Sequence, residues 1–156
     1  MIPLRYNECM PKPDKAFFWK GSHSFHRCLY HIVFCPKYRR RVLRGDVVGR
    51  LEHLFIECAK ANRWFIHELE VMPDHVHMLI QIPSSVSVAH AVHYLKGGTS
   101  RVIRQEFPEL EEFLWGASLW QEGYFAESIE RMDEATMRKY IRAQWDHEAP
   151  NSSPGL

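Results

Sequence analysis

The sequence predicts one α+β domain, an antiparallel sheet with helices on one face and one further helix at the C-terminus. Two observations support this prediction: short β-rich segments bounded by proline and polar turn residues, and longer segments whose apolar residues recur at helical spacing. At 156 residues, 46% of them hydrophobic and 25% charged, the chain is long enough for a single domain with a buried core.

The first half of the predicted domain contains one strand and one helix. Residues 27–34 are rich in β-branched and aromatic side chains, and this first strand ends before Pro36. Asp46 is predicted to cap a helix, because serine, threonine, asparagine and aspartate favour that position. The apolar residues that follow it recur at helical spacing, namely Val47, Val48, Leu51, Leu54, Phe55 and Cys58.

A hairpin and a second long helix follow. Residues 64–72 are predicted as the second strand and residues 75–82 as the third, with Pro73 and Asp74 as the turn between them. Ser85 or Ser87 is predicted to start a helix that runs to about residue 107. The pair Gly97-Gly98 is a weak point inside that helix.

The last predicted elements are a fourth strand over residues 119–128 and a helix from Asp133 through Tyr140 to about residue 145. The resulting order β-α-β-β-α-β is that of the ferredoxin-like split βαβ unit, here with an additional C-terminal helix. Residues 1–24 are predicted to be an irregular N-terminal extension, residues 25–147 the domain, and residues 148–156 a disordered tail.

Composition favours a cytoplasmic location without membrane contact. The sequence has no apolar run near the ~20 residues that a membrane helix needs, and its N-terminus does not resemble a secretory signal. The four cysteines form no C-x-x-C pair, which favours reduced thiols. The net charge of +1 does not by itself indicate a nucleic-acid partner, but a nearly neutral protein can still have one basic face.

The most informative motif is the pair His75 and His77 within the third strand. Successive side chains of a strand alternate between faces, so these two imidazoles lie on the same face. Two neutral imidazoles can supply half of a metal site. The alternative is that they are simply buried or solvent-facing histidines, which are commoner than ligands.

The predicted last helix offers the missing half of that site. Tyr140 and Gln144 are four residues apart and therefore share one helix face. Two imidazoles and the amide oxygen of Gln144 suit Mg²⁺ or Mn²⁺. The phenol of Tyr140 would lie nearby as a nucleophile, although such a tyrosine can also pack on the sheet.

Several basic residues are candidates for DNA contact. One group follows the first strand and a second lies along the second long helix, at a spacing that can share a face. Solvated surface charge explains the first group about equally well. The candidates are Lys37, Arg39, Arg40, Arg41, Lys96, Ser100, Arg101 and Arg104.

At these residues the chain resembles the small single-tyrosine transposases of the HUH endonuclease superfamily, the insertion-sequence-200-like family. The resemblance rests on four ordered segments, residues 30–39, 72–80, 120–125 and 140–144, and covers roughly residues 25–147. It implies that His75, His77 and Gln144 bind the divalent metal and that Tyr140 is the nucleophile. It also implies a homodimer, nucleoid-associated when acting, that binds hairpin ends of an insertion sequence. Such a transposase would cleave and rejoin single-stranded DNA through a 5′-phosphotyrosine.

Three alternatives to this reading remain open from the sequence. One is a domesticated, repeat-associated relative with the same chemistry. Another is a non-catalytic ferredoxin-like module that binds nucleic acid through the open face of its sheet. The third is a metal hydrolase that uses water as its nucleophile, for which Tyr140→Phe would retain cleavage.

Overall fold

The computed structural model describes residues 19–20, 25–116 and 118–129. The predicted last helix, with Tyr140 and Gln144, and the predicted tail 148–156 lie outside the described residues. The strands are β1 (Trp19–Lys20), β2 (Phe25–His26), β3 (Cys28–Phe34), β4 (Phe65–Met72), β5 (His75–Ile82) and β6 (Phe125–Ile129). The helices are α1 (Asp46–Asn62), α2 (Val88–Glu106) and α3 (Glu111–Leu114), with 3-10 turns at Lys37–Arg39 and Pro108–Leu110.

Four of these strands form one antiparallel sheet in the order β4-β5-β3-β6. The two central strands are β3 and β5, which are the first and third strands of the β-α-β-β-α-β unit, as in the ferredoxin-like fold. The predicted fold class is therefore confirmed. The bounds of β3, β4 and β5 differ from the prediction by at most one residue. β1 and β2 pair with each other, so residues 19–20 of the predicted irregular extension are in fact a strand.

Helix α1 packs on the sheet through residues spaced four apart. Val47, Leu51 and Phe55 are buried, as the helical spacing predicts, and Ala59, which was not predicted, is buried as well. The prediction that Asp46 caps this helix is wrong: the N-cap is Gly45, which has a positive φ of 58° and makes no side-chain cap bond. Asp46 instead lies in the first turn, where a carboxylate interacts favourably with the helix dipole.

Helix α2 starts after Ser87, one of the two serines predicted to start it. Ser87 is the N-cap, and its side-chain oxygen accepts a hydrogen bond from the backbone N–H of His90 at 3.1 Å. The helix continues through Gly97 and Gly98 without interruption. Both glycines are exposed, whereas Leu95 and Ile103 on the opposite face are fully buried, so packing of that face compensates for the low helix propensity of glycine.

Alternation along β5 sends its side chains to two different environments. Val76, Met78, Ile80 and Ile82 join the main core together with the buried residues of α1 and α2. His75, His77, Leu79 and Gln81 point to the other face, and they are buried as well. On that second face a smaller apolar cluster forms from Leu29, Leu79 and Ile129.

The fourth strand begins later than predicted. Residues 119–124 form only an isolated antiparallel bridge, between Trp120 and Pro36, and the continuous strand starts at Phe125. Trp120 packs into the core, with its ring 4.8 Å from that of Phe34, and Gly123 has a φ of +87°. That dihedral lies outside the extended region, so the chain turns before it joins the sheet. Within the described residues, no helix is long and apolar enough to cross a bilayer.

Candidate active site

The two histidines of the H-x-H motif lie side by side on the second face of the sheet. Their ring centroids are 4.7 Å apart, with an angle of 77° between the ring planes. Both side chains are almost fully buried, with 6% of His75 and 4% of His77 exposed. The predicted common face of this pair is therefore confirmed, and both imidazoles lie away from the helix-covered core.

His75 is oriented by its neighbour in the hairpin turn. Its Nδ1 lies 2.6 Å from Oδ1 of Asp74, and Nε of Arg39 lies 3.5 Å from Oδ2 of the same carboxylate. Partial burial alone would raise the pKa of Asp74, but its hydrogen bond to His75 and the positive charges around it lower the pKa below the usual value. The ionised carboxylate accepts the Nδ1–H of His75, and in the neutral form of this imidazole the lone pair is then on Nε2.

His77 is contacted by a histidine that the sequence-based prediction missed as a site residue. Nε2 of His31, on β3, lies 3.1 Å from Nδ1 of His77, and the two rings lie edge to edge, with centroids 5.4 Å apart and only 8° between their planes. Burial lowers the pKa of His77 to about 3, and the nearby His75 and His31 act in the same direction. Burial also lowers the pKa of His31, against an opposing influence of Glu127. Both rings are therefore neutral at physiological pH.

One sequence signal could have identified His31. It is an isolated polar residue in an apolar strand, and it has the same parity as Leu29, which belongs to the second face of the sheet. The sequence does not show which strand lies beside β3, and only that pairing brings His31 to His77.

The donor set of this site fits a divalent cation. Both imidazoles use Nδ1 for a contact within the protein, so Nε2 is the nitrogen that each can offer to a metal. Imidazole nitrogen is a common ligand of divalent cations in proteins. The described residues contain no group of three or more His, Cys, Asp or Glu that could hold a metal.

The basic residues after β3 lie in the turn next to this site. Residues Lys37–Arg39 form the 3-10 turn, in which Tyr38 and Arg39 have φ values of 59° and 50°. Arg39 contacts Asp74, and the Arg40 guanidinium lies over the ring of Trp115 at 5.7 Å. Arg41 is exposed. This turn thus combines positive charge with direct proximity to the histidine pair.

The four candidates on α2 line one groove, of about 670 Å³, between this helix and residues 118–124. Three of them also have structural contacts. Lys96 Nζ donates to the carbonyl oxygens of Gln121 and Gly123 at 2.7 and 2.9 Å, and Ser100 Oγ accepts from the N–H of Leu119. Arg104 pairs with Glu111 at 2.6 Å, whereas Arg101 is exposed at the groove.

Comparison with known proteins gives consistent results over most of the chain. The family model described as "Transposase IS200 like" matches residues 24–144. The ISDra2 transposase TnpA of Deinococcus radiodurans is 35% identical over 129 residues, which are 83% of this chain and 92% of that protein. The transposase for insertion sequence element IS200 of Salmonella typhimurium is 31% identical over 127 residues, 81% of this chain and 83% of that one.

Two solved structures share the fold. A crystal structure of a Deinococcus radiodurans R1 chain described as a transposase has a TM-score of 0.67 and 31% identity, and the match covers 81% of this chain and 97% of that one. A REP-associated tyrosine transposase bound to a REP hairpin has a TM-score of 0.57 and covers 86% of this chain and 74% of that one, but at 14% identity it shows the fold alone. The chain is therefore a transposase and belongs to the IS200-like family.

Proposed function

We propose that this transposase binds hairpin ends of an insertion sequence and cleaves and rejoins single-stranded DNA through a 5′-phosphotyrosine on Tyr140. The observation that carries the proposal is the pair His75 and His77, buried side by side and each contacted at Nδ1 by a neighbouring side chain. The family match extends from residue 24 to residue 144 and so includes the sequence positions of Tyr140 and Gln144, which further supports it.

The proposed chemistry at Tyr140 balances without a nucleotide cofactor. Its phenolic oxygen attacks the phosphorus of a phosphodiester, and the bond from phosphorus to the 3′ oxygen breaks. The phenol loses one proton and the leaving 3′ oxygen gains one, so the protons balance. A phenol with a pKa of ~10 is ionised in only about one molecule in a thousand at neutral pH, so the proton must leave as the bond forms. A 3′-hydroxyl of a second strand then attacks the phosphotyrosine and restores a phosphodiester.

The proposed cofactor is Mg²⁺ or Mn²⁺, held by Nε2 of His75 and of His77 and by the amide oxygen of Gln144. Such a cation, when bound, polarises a phosphate oxygen and stabilises the charge that develops during in-line displacement. Asp74 keeps His75 in the tautomer that can bind it. The low pKa of His77 keeps that ring neutral and so available as a ligand.

The proposed DNA-binding surface combines the two basic regions. The segment that contains Lys37, Arg39, Arg40 and Arg41 adjoins the histidine pair through the contact of Arg39 with Asp74, and Arg101 is exposed at the groove on α2. Cations at such positions neutralise phosphates without reading sequence. The REP-associated tyrosine transposase that shares the fold is bound to a REP hairpin, and we propose a hairpin partner for this chain as well. We further propose a homodimer that acts in the bacterial cytoplasm at the nucleoid.

The test is a cleavage assay on single-stranded hairpin DNA from the two ends of the sequence that flanks the gene, with Mn²⁺ and then Mg²⁺. A label at the 3′ end follows the covalent adduct on a denaturing gel, and a label at the 5′ end follows the strand released with a free 3′-hydroxyl. We expect the adduct with the native chain and with Tyr94→Phe, a matched control at an exposed tyrosine of α2.

Three variants distinguish the alternatives. Tyr140→Phe should abolish both the adduct and the released strand, whereas a hydrolase would still release the strand. His75→Ala and His77→Ala should abolish cleavage while DNA binding persists. Binding without cleavage by the native chain, across both ends and both metals, would favour a non-catalytic module and contradict the proposal.

A further inference from the structure

We propose that His31 is a positioning residue for His77: its imidazole accepts the Nδ1–H of His77 and thereby selects the tautomer whose Nε2 can bind the cation. This inference rests on the proposed function, since it assigns a role toward the metal site described above. It concerns a residue on a different strand from the H-x-H motif, about 45 positions earlier in the sequence.

The fold holds His31 in one place. β3 and β5 pair antiparallel, with His31 opposite Leu79. His77 is two residues from Leu79 on the same strand, so His31 and His77 are diagonal neighbours on one face of the sheet. The His31 side chain is 2% exposed. Its ring lies edge to edge with that of His77, with centroids 5.4 Å apart and 8° between the planes, and makes a T-shaped contact with Phe125 at 5.9 Å. The contact of 3.1 Å between Nε2 of His31 and Nδ1 of His77 is therefore a fixed feature of the sheet.

A count of protons shows why this contact bears on metal binding. Each neutral imidazole carries one N–H, and in a contact between Nε2 of one ring and Nδ1 of the other only one ring donates. If His31 donates, the proton of His77 is on Nε2, and that nitrogen cannot be a ligand. If His77 donates, its Nε2 has the free electron pair that a cation needs. His31 then carries its own proton on Nδ1, and its cross-strand partner Glu127 supplies negative charge beside that ring.

The other ligand is held in an analogous way. His75 also turns its Nδ1 to a neighbour, the carboxylate of Asp74, at 2.6 Å. Both imidazoles thus have an acceptor behind them, a carboxylate for His75 and a second imidazole for His77. Outer partners of this kind fix the ring orientation and tautomer of metal-ligating histidines, and their replacement typically weakens metal affinity 10- to 100-fold.

The experiment measures Mn²⁺ binding directly, in the full chain and without DNA. Free Mn²⁺ is followed by electron paramagnetic resonance during titration, and thermal unfolding in EDTA reports the stability of the metal-free protein. His31→Leu removes the acceptor but fills the space next to the apolar cluster of Leu29, Leu79 and Ile129. His31→Gln places an amide oxygen near the position of Nε2 and retains an acceptor.

We expect His31→Leu to raise the Kd for Mn²⁺ about 10- to 100-fold, with no loss of melting temperature in EDTA, and His31→Gln to recover most of the affinity. The matched control is His67→Leu. His67 is another buried histidine of this sheet, but its Nε2 lies 2.9 Å from Oε1 of Gln81 rather than beside a proposed ligand. Its replacement should leave the Kd unchanged.

Two results would overturn the inference while leaving the proposed metal site intact. One is an equal Kd for the native chain and His31→Leu. The other is a loss of affinity that follows a loss of stability in EDTA and that His31→Gln does not restore, which would indicate a purely structural role. If the native chain itself does not bind Mn²⁺, whereas it still cleaves DNA or still binds it, the proposed metal site fails and this inference fails with it.

Discussion

The low pKa of His77 predicts a specific loss of stability in acid for the metal-free protein. Burial, and secondarily His75 and His31, lower this pKa to about 3, whereas a histidine in the unfolded chain titrates near 6.5. Below pH 6.5 the unfolded state therefore binds a proton that the folded state does not bind. The free energy of unfolding falls as the pH falls, with the loss beginning near pH 6.5 and complete near pH 3.

The size of the effect at pH 5 follows from these two values. At pH 5 the protonated form of this histidine in the unfolded chain outnumbers the neutral form by about 30 to 1. In the folded state His77 is still neutral at that pH. Stabilising the unfolded state by this factor lowers the free energy of unfolding by about 2 kcal/mol between pH 8 and pH 5. His31, whose pKa is also lowered by burial, adds a loss of the same sign.

The assay is urea unfolding in EDTA at pH 8 and pH 5, followed by tryptophan fluorescence, for the native chain and for His77→Gln. Glutamine retains a polar group toward His31 but does not titrate. Acid effects away from the pair His31 and His77 are common to both proteins, so the difference between their two pH-dependent losses reports on His77 and its contact with His31. We expect the native chain to lose about 2 kcal/mol more than the variant. Equal losses would refute the conclusion that the fold keeps this imidazole neutral.

Further predictions concern the cap, the core and the groove. Ser87→Ala should cost about 1 kcal/mol in urea unfolding, because it removes the acceptor for the His90 N–H, whereas Ser85→Ala should cost almost nothing; equal effects would contradict the cap assignment. Phe55→Ala should destabilise the protein by about 3–5 kcal/mol, because Phe55 is fully buried in the main core, and a loss below ~1 kcal/mol would exclude that packing. Arg101→Ala should reduce the slope of log K against log salt concentration for hairpin DNA by about 1, and an unchanged slope would place the phosphates elsewhere.

Local patterns in the sequence determined most of the secondary structure. β5 was predicted at its observed bounds because a turn with proline and aspartate precedes a continuous run of strand residues. The start of α2 at Ser87 was one of two alternatives, and the choice depends on which hydroxyl reaches the N–H of His90. The fourth strand was predicted too long, because β-rich composition extends through residues that pack as a loop around Trp120.

The sequence by itself determined the order of elements, the fold class and the common face of His75 and His77, because alternation and helical spacing act between residues close in the chain. Only the tertiary structure decided that His31 lies against His77, that Asp74 is shared by His75 and Arg39, and that Lys96 holds a neighbouring loop. Such contacts join residues brought together by strand pairing and helix packing. No local pattern specifies them, because they depend on which elements become neighbours once the whole sheet has formed.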